Sequence, residues 1–314
     1  MKRFIGAIAL AASALAWSAP ARASLPPPLP KSQQSFNSGS IHVDVYGTPG
    51  KPALIFIPGL TCGPWEWAGE ITQFAPNYTI YALTLPGFDD QPAVSGAPFD
   101  TVSADFWTLL QTRNIQKPIL IGHSLGGTLG FMLAEQHSDR LRALVAVDGM
   151  PVFPGMDRVT PAQRAGIAAR TASALASMST PAQFEAAEKN YALVYMITSK
   201  DDIAAVAPLT ARSDPKATAR WMQDDMMLDT RPQLSAITIP VLEIAPFDPK
   251  LDPFGPGKIS SAQQKQAYYE SLLKGDATAR VQVVQPSRHF IMYDQPQALD
   301  ALLAQFLGQT ANRA

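Results

Sequence analysis

A single cysteine, Cys62, occurs in the 314 residues, so no internal disulfide can form and stability must come from a packed core. A lone thiol of this kind reads as a small buried apolar residue, and its surroundings offer no spacing for a metal site. Charge is sparse too. Asp, Glu, Lys and Arg make up 16% of the chain and form no basic tract, which argues against nucleic acid or an anionic membrane surface as partner. After the N-terminal stretch no apolar run approaches 18 residues, so no stable membrane anchor is expected in the mature chain. Histidine is limited to four positions, which makes the search for a general base one of elimination.

What is present is enough apolar residue, 46%, for one large domain or two small ones, with 28 prolines that suggest many loops and helix starts. "MKR" followed by "FIGAIALAASALAW" and "ARA" has the order of a secretory signal: basic start, short apolar run, small-x-small cleavage site. Residues 1–23 are therefore expected to be removed between Ala23 and Ser24, with the product in the periplasm or the medium. The cut removes Lys2, Arg3 and Arg22 and moves the formal net charge from −1 to −4.

Residues 24–38 form a proline-rich lead, and "SFNSGSIHVDVYG" alternates as an antiparallel edge strand or hairpin does. Then short apolar runs recur: "PALIFIPG", "YTIYALTLPG", "KPILIGHS", "LRALVAVDG", "IPVLEIAP" and "ARVQVVQPS". Runs of this length bounded by Gly, Pro or Asp are what strands buried on both faces look like. Helical patterns such as "DTVSADFWTLLQ" and "LGGTLGFMLAEQ" lie between them. The expected architecture is α/β: a mostly parallel twisted sheet with helices on both faces, built from 39–149 and 236–314. Residues 150–235 lack such a strand and carry helix starts, "TPAQ" at Thr160 and again at Thr180, and Asp214 before Pro215. They are expected to form an inserted helical cap.

"ILIGHSLGG" puts Ser124 between the end of a strand and the start of a helix, flanked by Gly122 and Gly126. A serine there needs a strained turn that projects its hydroxyl, small residues two before and two after, and a helix whose free N–H groups stabilise a negative oxygen. This marks Ser124 as the nucleophile. His42 lies in the early edge strand, His123 adjoins the serine, and His137 is about 20 Å along the helix. His289 follows "RVQVVQPS" on the rim that carries Ser124, and is the expected base. The acid should lie on the same rim. Asp148, Asp248 and Asp252 all stand near strand ends, and Asp248 is favoured because it follows the last strand before the histidine strand. The oxyanion donors are expected to be the Leu125 N–H and one from Leu60 or Thr61 after "ALIFIPG", Leu60 being preferred. Trp65, Trp67, Met150 and Phe290 are candidates for the substrate pocket, and packing explains Trp65 and Trp67 equally well.

The motifs "FIPGL", "LTLPGF", "GHSLGG", "PVLEIAPFDP" and "SRHFIMYDQP" together resemble the α/β-hydrolase fold family over nearly all of the mature chain. The order Ser124, Asp248, His289 is similar to the family order. Two positions depart from it: Pro58 stands where many members have His, and Pro246-Phe247-Asp248-Pro249 replaces the usual glycine and paired acids. The resemblance implies a serine esterase or lipase-like branch with a helical cap, not the branches whose nucleophile is Asp. It implies hydrolysis of a small-molecule ester or lactone through an acyl-enzyme, with no metal or organic cofactor. Amide, carbon–carbon or perhydrolase chemistry and a non-catalytic binding role remain alternatives. Seven of the ten methionines fall between Met150 and Met227, which suggests an apolar group on the substrate or simple core filling.

Overall fold

The computed structural model describes residues 26–254 and 257–311. The expected signal segment, residues 1–23, lies outside them. Eight strands form one sheet: β1 (Gln34–Ser38), β2 (Ile41–Gly47), β3 (Ala53–Ile57), β4 (Thr79–Thr84), β5 (Ile119–His123), β6 (Ala143–Val147), β7 (Val241–Pro246) and β8 (Ala279–Val284). Their order across the sheet is β1-β2-β4-β3-β5-β6-β7-β8. The pairs β1·β2 and β2·β4 are antiparallel and all later pairs are parallel. Each of the six apolar runs read from the sequence is one of the parallel strands. The central ones are buried along their length, since helices cover both faces. The edge strand β8 alternates instead. Residues 34–38, the end of the expected lead, form the first strand of the hairpin that the alternation from Ser35 suggests, held by the β1·β2 ladder.

The helices are α1 (Ala68–Phe74), α2 (Pro98–Thr112), α3 (Leu125–Gln136), α4 (Pro161–Ala176), α5 (Pro181–Ala187), α6 (Leu193–Met196), α7 (Lys200–Thr210), α8 (Pro215–Met227), α9 (Ala262–Leu272), α10 (Ile291–Asp294) and α11 (Pro296–Ala311). Alternation along the strands divides the core in two. Ile55 and Ile57 of β3 face one cluster with Phe106 of α2, Leu129 of α3 and Tyr269 of α9. Leu54 and Phe56 face the other, with Ile71 of α1 and Leu303 of α11.

Between β6 and β7 the chain runs through α4 to α8, the expected helical insertion. Its starts follow the capping chemistry in the sequence. Thr160 and Gln163 make a reciprocal capping box at α4. Thr180 caps α5 through the Gln183 N–H, while the Gln183 side chain turns to the Ser179 N–H. Asp214 accepts from the Lys216 and Ala217 N–H groups at 2.8 Å each and opens α8. Three of the seven methionines of this stretch, Met150, Met156 and Met226, are buried in the core, and Met227 is exposed. Among the described residues no helix is long and apolar enough to cross a membrane.

Candidate active site

Ser124 leaves β5 with φ 52° and ψ −120°, then α3 begins at Leu125. A non-glycine residue in the left-handed region is costly and persists only where its surroundings enforce it. Here the Ser124 N–H is tied to the Val147 carbonyl at 2.9 Å, and its own carbonyl accepts from Gly127 and Thr128. The flanking glycines are required by contact. A Cβ on Gly122 would come within 2.7 Å of the Gly127 nitrogen, and one on Gly126 within 2.7 Å of the Pro58 carbonyl oxygen. Since both neighbours are backbone, Gly126→Ala is expected to destabilise the protein by about 1–3 kcal/mol, measured by denaturant unfolding.

β5 and β6 pair in register from Ile119↔Ala143 to His123↔Val147, so the next residues, Ser124 and Asp148, emerge side by side. Asp148 also turns through a positive φ, 50°. Its carboxylate accepts the His289 Nδ1–H at 2.5 Å and the Tyr269 hydroxyl on its other oxygen. Burial by itself would push the Asp148 carboxyl up. The His289 imidazole, with Lys265 and the Tyr269 hydroxyl, outweighs burial and holds it at about 2. The Tyr269 phenol is pushed well up by burial and by Asp148, so it stays a donor. Glu243, fully buried on β7 next to Asp148, is likewise pushed well up by burial and by that neighbouring charge.

The favoured acid, Asp248, does not meet His289; of the three candidate aspartates it is Asp148 that the structure brings to the histidine. Asp248 accepts from Arg288 Nε at 2.7 Å, and its own N–H donates to Asp252. Arg288 Nη1 continues to the carbonyls of Val194 (2.6 Å) and Ile197 (3.1 Å), and the Phe290 N–H donates to the Met196 carbonyl. Arg288, held by Asp248, thus anchors the insertion to the loop that carries His289. Asp252 is held by Lys265 Nζ at 2.8 Å. The physical reason is direction: the histidine loop folds back across β7 toward β6 and β5, bringing His289 to Asp148 and leaving Arg288 to take Asp248.

Leu125 is the first residue of α3, so its N–H has no acceptor within the helix. The loop after β3 turns through a Cys62 N–H to Gly59 carbonyl bond of 3.1 Å, with Thr61 at φ 64°, an unusual value for a β-branched residue. Among the described residues no carbonyl takes the Leu60 N–H. Ser213 Oγ holds the Thr61 carbonyl from the insertion side at 3.1 Å. The pocket candidates divide. Trp67 and Met150 are 0% and 1% exposed, so they have no surface for a ligand and belong to the core. Trp65 and Trp67 form a 3-10 turn, Pro64–Trp67, and Trp67 packs on Phe56 and against the edge of the His123 ring. Phe290 is buried as well. It lies 5.6 Å from the His289 ring and stacks on Tyr293.

His42 is held by Asn37 and Ser35 on the hairpin, and His137 packs edge-on against Trp107 at the far end of α3. His123 has a role that sequence reasoning missed. Its Nδ1 faces Glu66 Oε1 at 2.7 Å, its Nε2 donates to the His289 carbonyl at 3.1 Å, and its ring lies 4.4 Å from that of His289. Glu66 uses its second oxygen for the Gly59 N–H, at 3.0 Å. The available signal was the acid in "PWEW", a charged residue inside an apolar segment that needed a buried partner.

Comparison with known proteins agrees with the fold. The sequence model of the alpha/beta hydrolase fold matches residues 52–233. A 2-succinyl-6-hydroxy-2,4-cyclohexadiene-1-carboxylate synthase from Enterobacter sp. (strain 638) is 37% identical over 105 residues, 33% of this chain and 40% of that protein. A pimeloyl-[acyl-carrier protein] methyl ester esterase from Aeromonas salmonicida is 30% identical over 120 residues, 38% of this chain and 45% of that protein. The match thus spans less than half the length of these relatives. Among solved structures, the enol-lactonase from Burkholderia xenovorans LB400 superposes with a TM-score of 0.67 at 18% identity, covering 85% of this chain and 96% of that one. A carboxylesterase structure from Nitrososphaera gargenis gives 0.69 at 18%, covering 90% and 99%. At such identity these two structures share the fold.

Proposed function

Because the chain belongs to the alpha/beta hydrolase fold family, we propose that it hydrolyses a carboxylic ester or lactone through an acyl-enzyme on Ser124. The observation that carries this reading is the His289–Asp148 hydrogen bond of 2.5 Å beside a serine forced into a positive φ at the head of α3. In this reading His289 Nε2 takes the Ser124 proton as Oγ attacks the carbonyl carbon. Asp148 holds the proton on Nδ1 and stabilises the imidazolium that forms. The tetrahedral oxyanion rests on the N–H groups of Leu125 and Leu60. His289 then protonates the leaving alcohol and activates the water that releases the acid. The esterase among the relatives and the lactonase among the structures support this class of substrate.

The test is covalent. A fluorophosphonate probe is expected to modify Ser124, identified by peptide mass, with no labelling of Ser124→Ala. An unlabelled wild-type protein, or a label on another residue, ends the proposal. The relative that is a synthase favours a second reading, in which the same serine and histidine serve a reaction other than ester cleavage. A panel of esters and lactones that leaves the labelled enzyme idle selects it. The proposal includes export: N-terminal sequencing of protein from the periplasm or medium is expected to begin at Ser24.

A further inference from the structure

We propose that Glu66 and His123 are positioning residues: a buried ion pair that joins the Gly59–Leu60 loop to the His289 loop and disfavours a second positive charge on His289. The inference rests on the hydrolase reading above. Both residues are essentially closed to solvent, at 1% and 0% exposure. A carbonyl oxygen can only accept, so the His123 Nε2 facing the His289 carbonyl carries a proton. A carboxylate oxygen that faces Nδ1 at 2.7 Å, while its partner oxygen accepts from Gly59, is met by a second proton. With that proton on Nδ1, His123 is an imidazolium. Burial opposes that charge, but Glu66, Asp148 and the His289 carbonyl outweigh it and the net direction is upward.

The pair is built into three elements at once. Glu66 comes from the 3-10 turn after the oxyanion loop, His123 ends β5 directly before Ser124, and the acceptor carbonyl belongs to His289. Gly59 is shaped to it: a Cβ there would stand 2.8 Å from His123 Nδ1 and 3.3 Å from Glu66 Oε1. The Gly59 N–H is thereby fixed one residue before the proposed donor, Leu60. Catalysis requires His289 to start unprotonated, and Asp148 by its charge favours protonation. A fixed cation with its ring 4.4 Å away works against that pull. Cys62 and Tyr293 face Glu66 and are pushed well up by burial, so they stay neutral. Glu70 and Asp202 act on Tyr293, Tyr269 and Lys265 act on Asp148, and Asp148 in turn acts on Glu243.

Two variants and one spectrum test this. Glu66→Gln keeps a hydrogen-bonding group against Gly59 and His123 but removes the charge, so His123 becomes neutral. The acidic limb of kcat/KM for a neutral ester such as phenyl acetate is expected to move up by about one pH unit, with KM within about threefold. Glu66→Ala also releases the Gly59 N–H and is expected to lower kcat at the optimum by about 10- to 100-fold, again with KM little changed. A role confined to stability would move the melting temperature and neither of these. In wild-type protein, nitrogen-15 histidine spectra at pH 8, assigned with His42→Asn and His137→Asn, are expected to show His123 with both ring nitrogens protonated. An unmoved acidic limb in Glu66→Gln, kcat within twofold in Glu66→Ala, or a neutral His123 in the wild type overturns the proposal. Labelling of Ser124 and loss of turnover in Ser124→Ala report on the hydrolase reading separately.

Discussion

Asp148→Asn is expected to lower kcat by about 10⁴-fold, about 5 kcal/mol of transition-state stabilisation, with KM nearly unchanged. The amide keeps the size of the carboxyl but reverses the hydrogen bond: its NH2 donates to His289 Nδ1, the ring proton moves to Nε2, and Nε2 can no longer take a proton from Ser124. The carboxylate it replaces, held at about 2, is ionised across the working pH range. Its contribution to stability, present above the ordinary Asp value near 4, is lost only as pH falls from there toward 2, so the acidic limb of activity does not report Asp148. Asp248→Asn has the opposite signature. It weakens the 2.7 Å bond to Arg288 Nε, and with it the tie to the Val194 and Ile197 carbonyls. Stability is expected to fall by about 1–3 kcal/mol and kcat by less than tenfold. Michaelis parameters and thermal melts of the two variants decide between the aspartates, and the reverse pattern returns the acid to Asp248.

That contrast marks where the sequence stopped being readable. The six parallel strands were legible because burial on both faces writes each as an unbroken apolar run. The serine turn was legible because its constraints are local: Gly122 and Gly126 are demanded by backbone within a few residues or on the adjacent strand. The acid was not. Asp148, Asp248 and Asp252 share one local signature, an aspartate just past a strand, and nothing near any of them says which the histidine loop will reach. That is settled by the path of the chain after β8, and by Arg288, whose position beside His289 gives Asp248 a different partner. The tryptophans stayed ambiguous for a related reason. Large aromatics suit a pocket wall and a core equally, and here the far side of Trp67 is filled by Phe56 and His123. Glu66 and Glu243 were passed over because each stands alone in an apolar stretch, and their partners come from distant segments.

Asp225→Asn is expected to stabilise the protein by about 2–4 kcal/mol at pH 8 and to change little at pH 4. Asp225 lies on α8, buried, and its Oδ1 has no hydrogen-bond partner among the described residues. Burial pushes its carboxyl up to about 7, and only the Thr128 hydroxyl of α3 works the other way. The sign follows. Below the unfolded value of 3.8 both states are protonated and the residue costs nothing. Between there and about 7 the unfolded chain releases a proton that the folded one keeps, so stability falls by about 1.4 kcal/mol per pH unit. Above about 7 the loss is complete. The amide cannot ionise, so the variant should show a flatter dependence of melting temperature on pH from 4 to 7, and a midpoint higher by about 5 °C or more at pH 8. Part of the slope should survive, because burial pushes Glu135 and Glu188 up to about 7 as well. A wild-type melting temperature that does not fall between pH 4 and 7 rejects this account of Asp225.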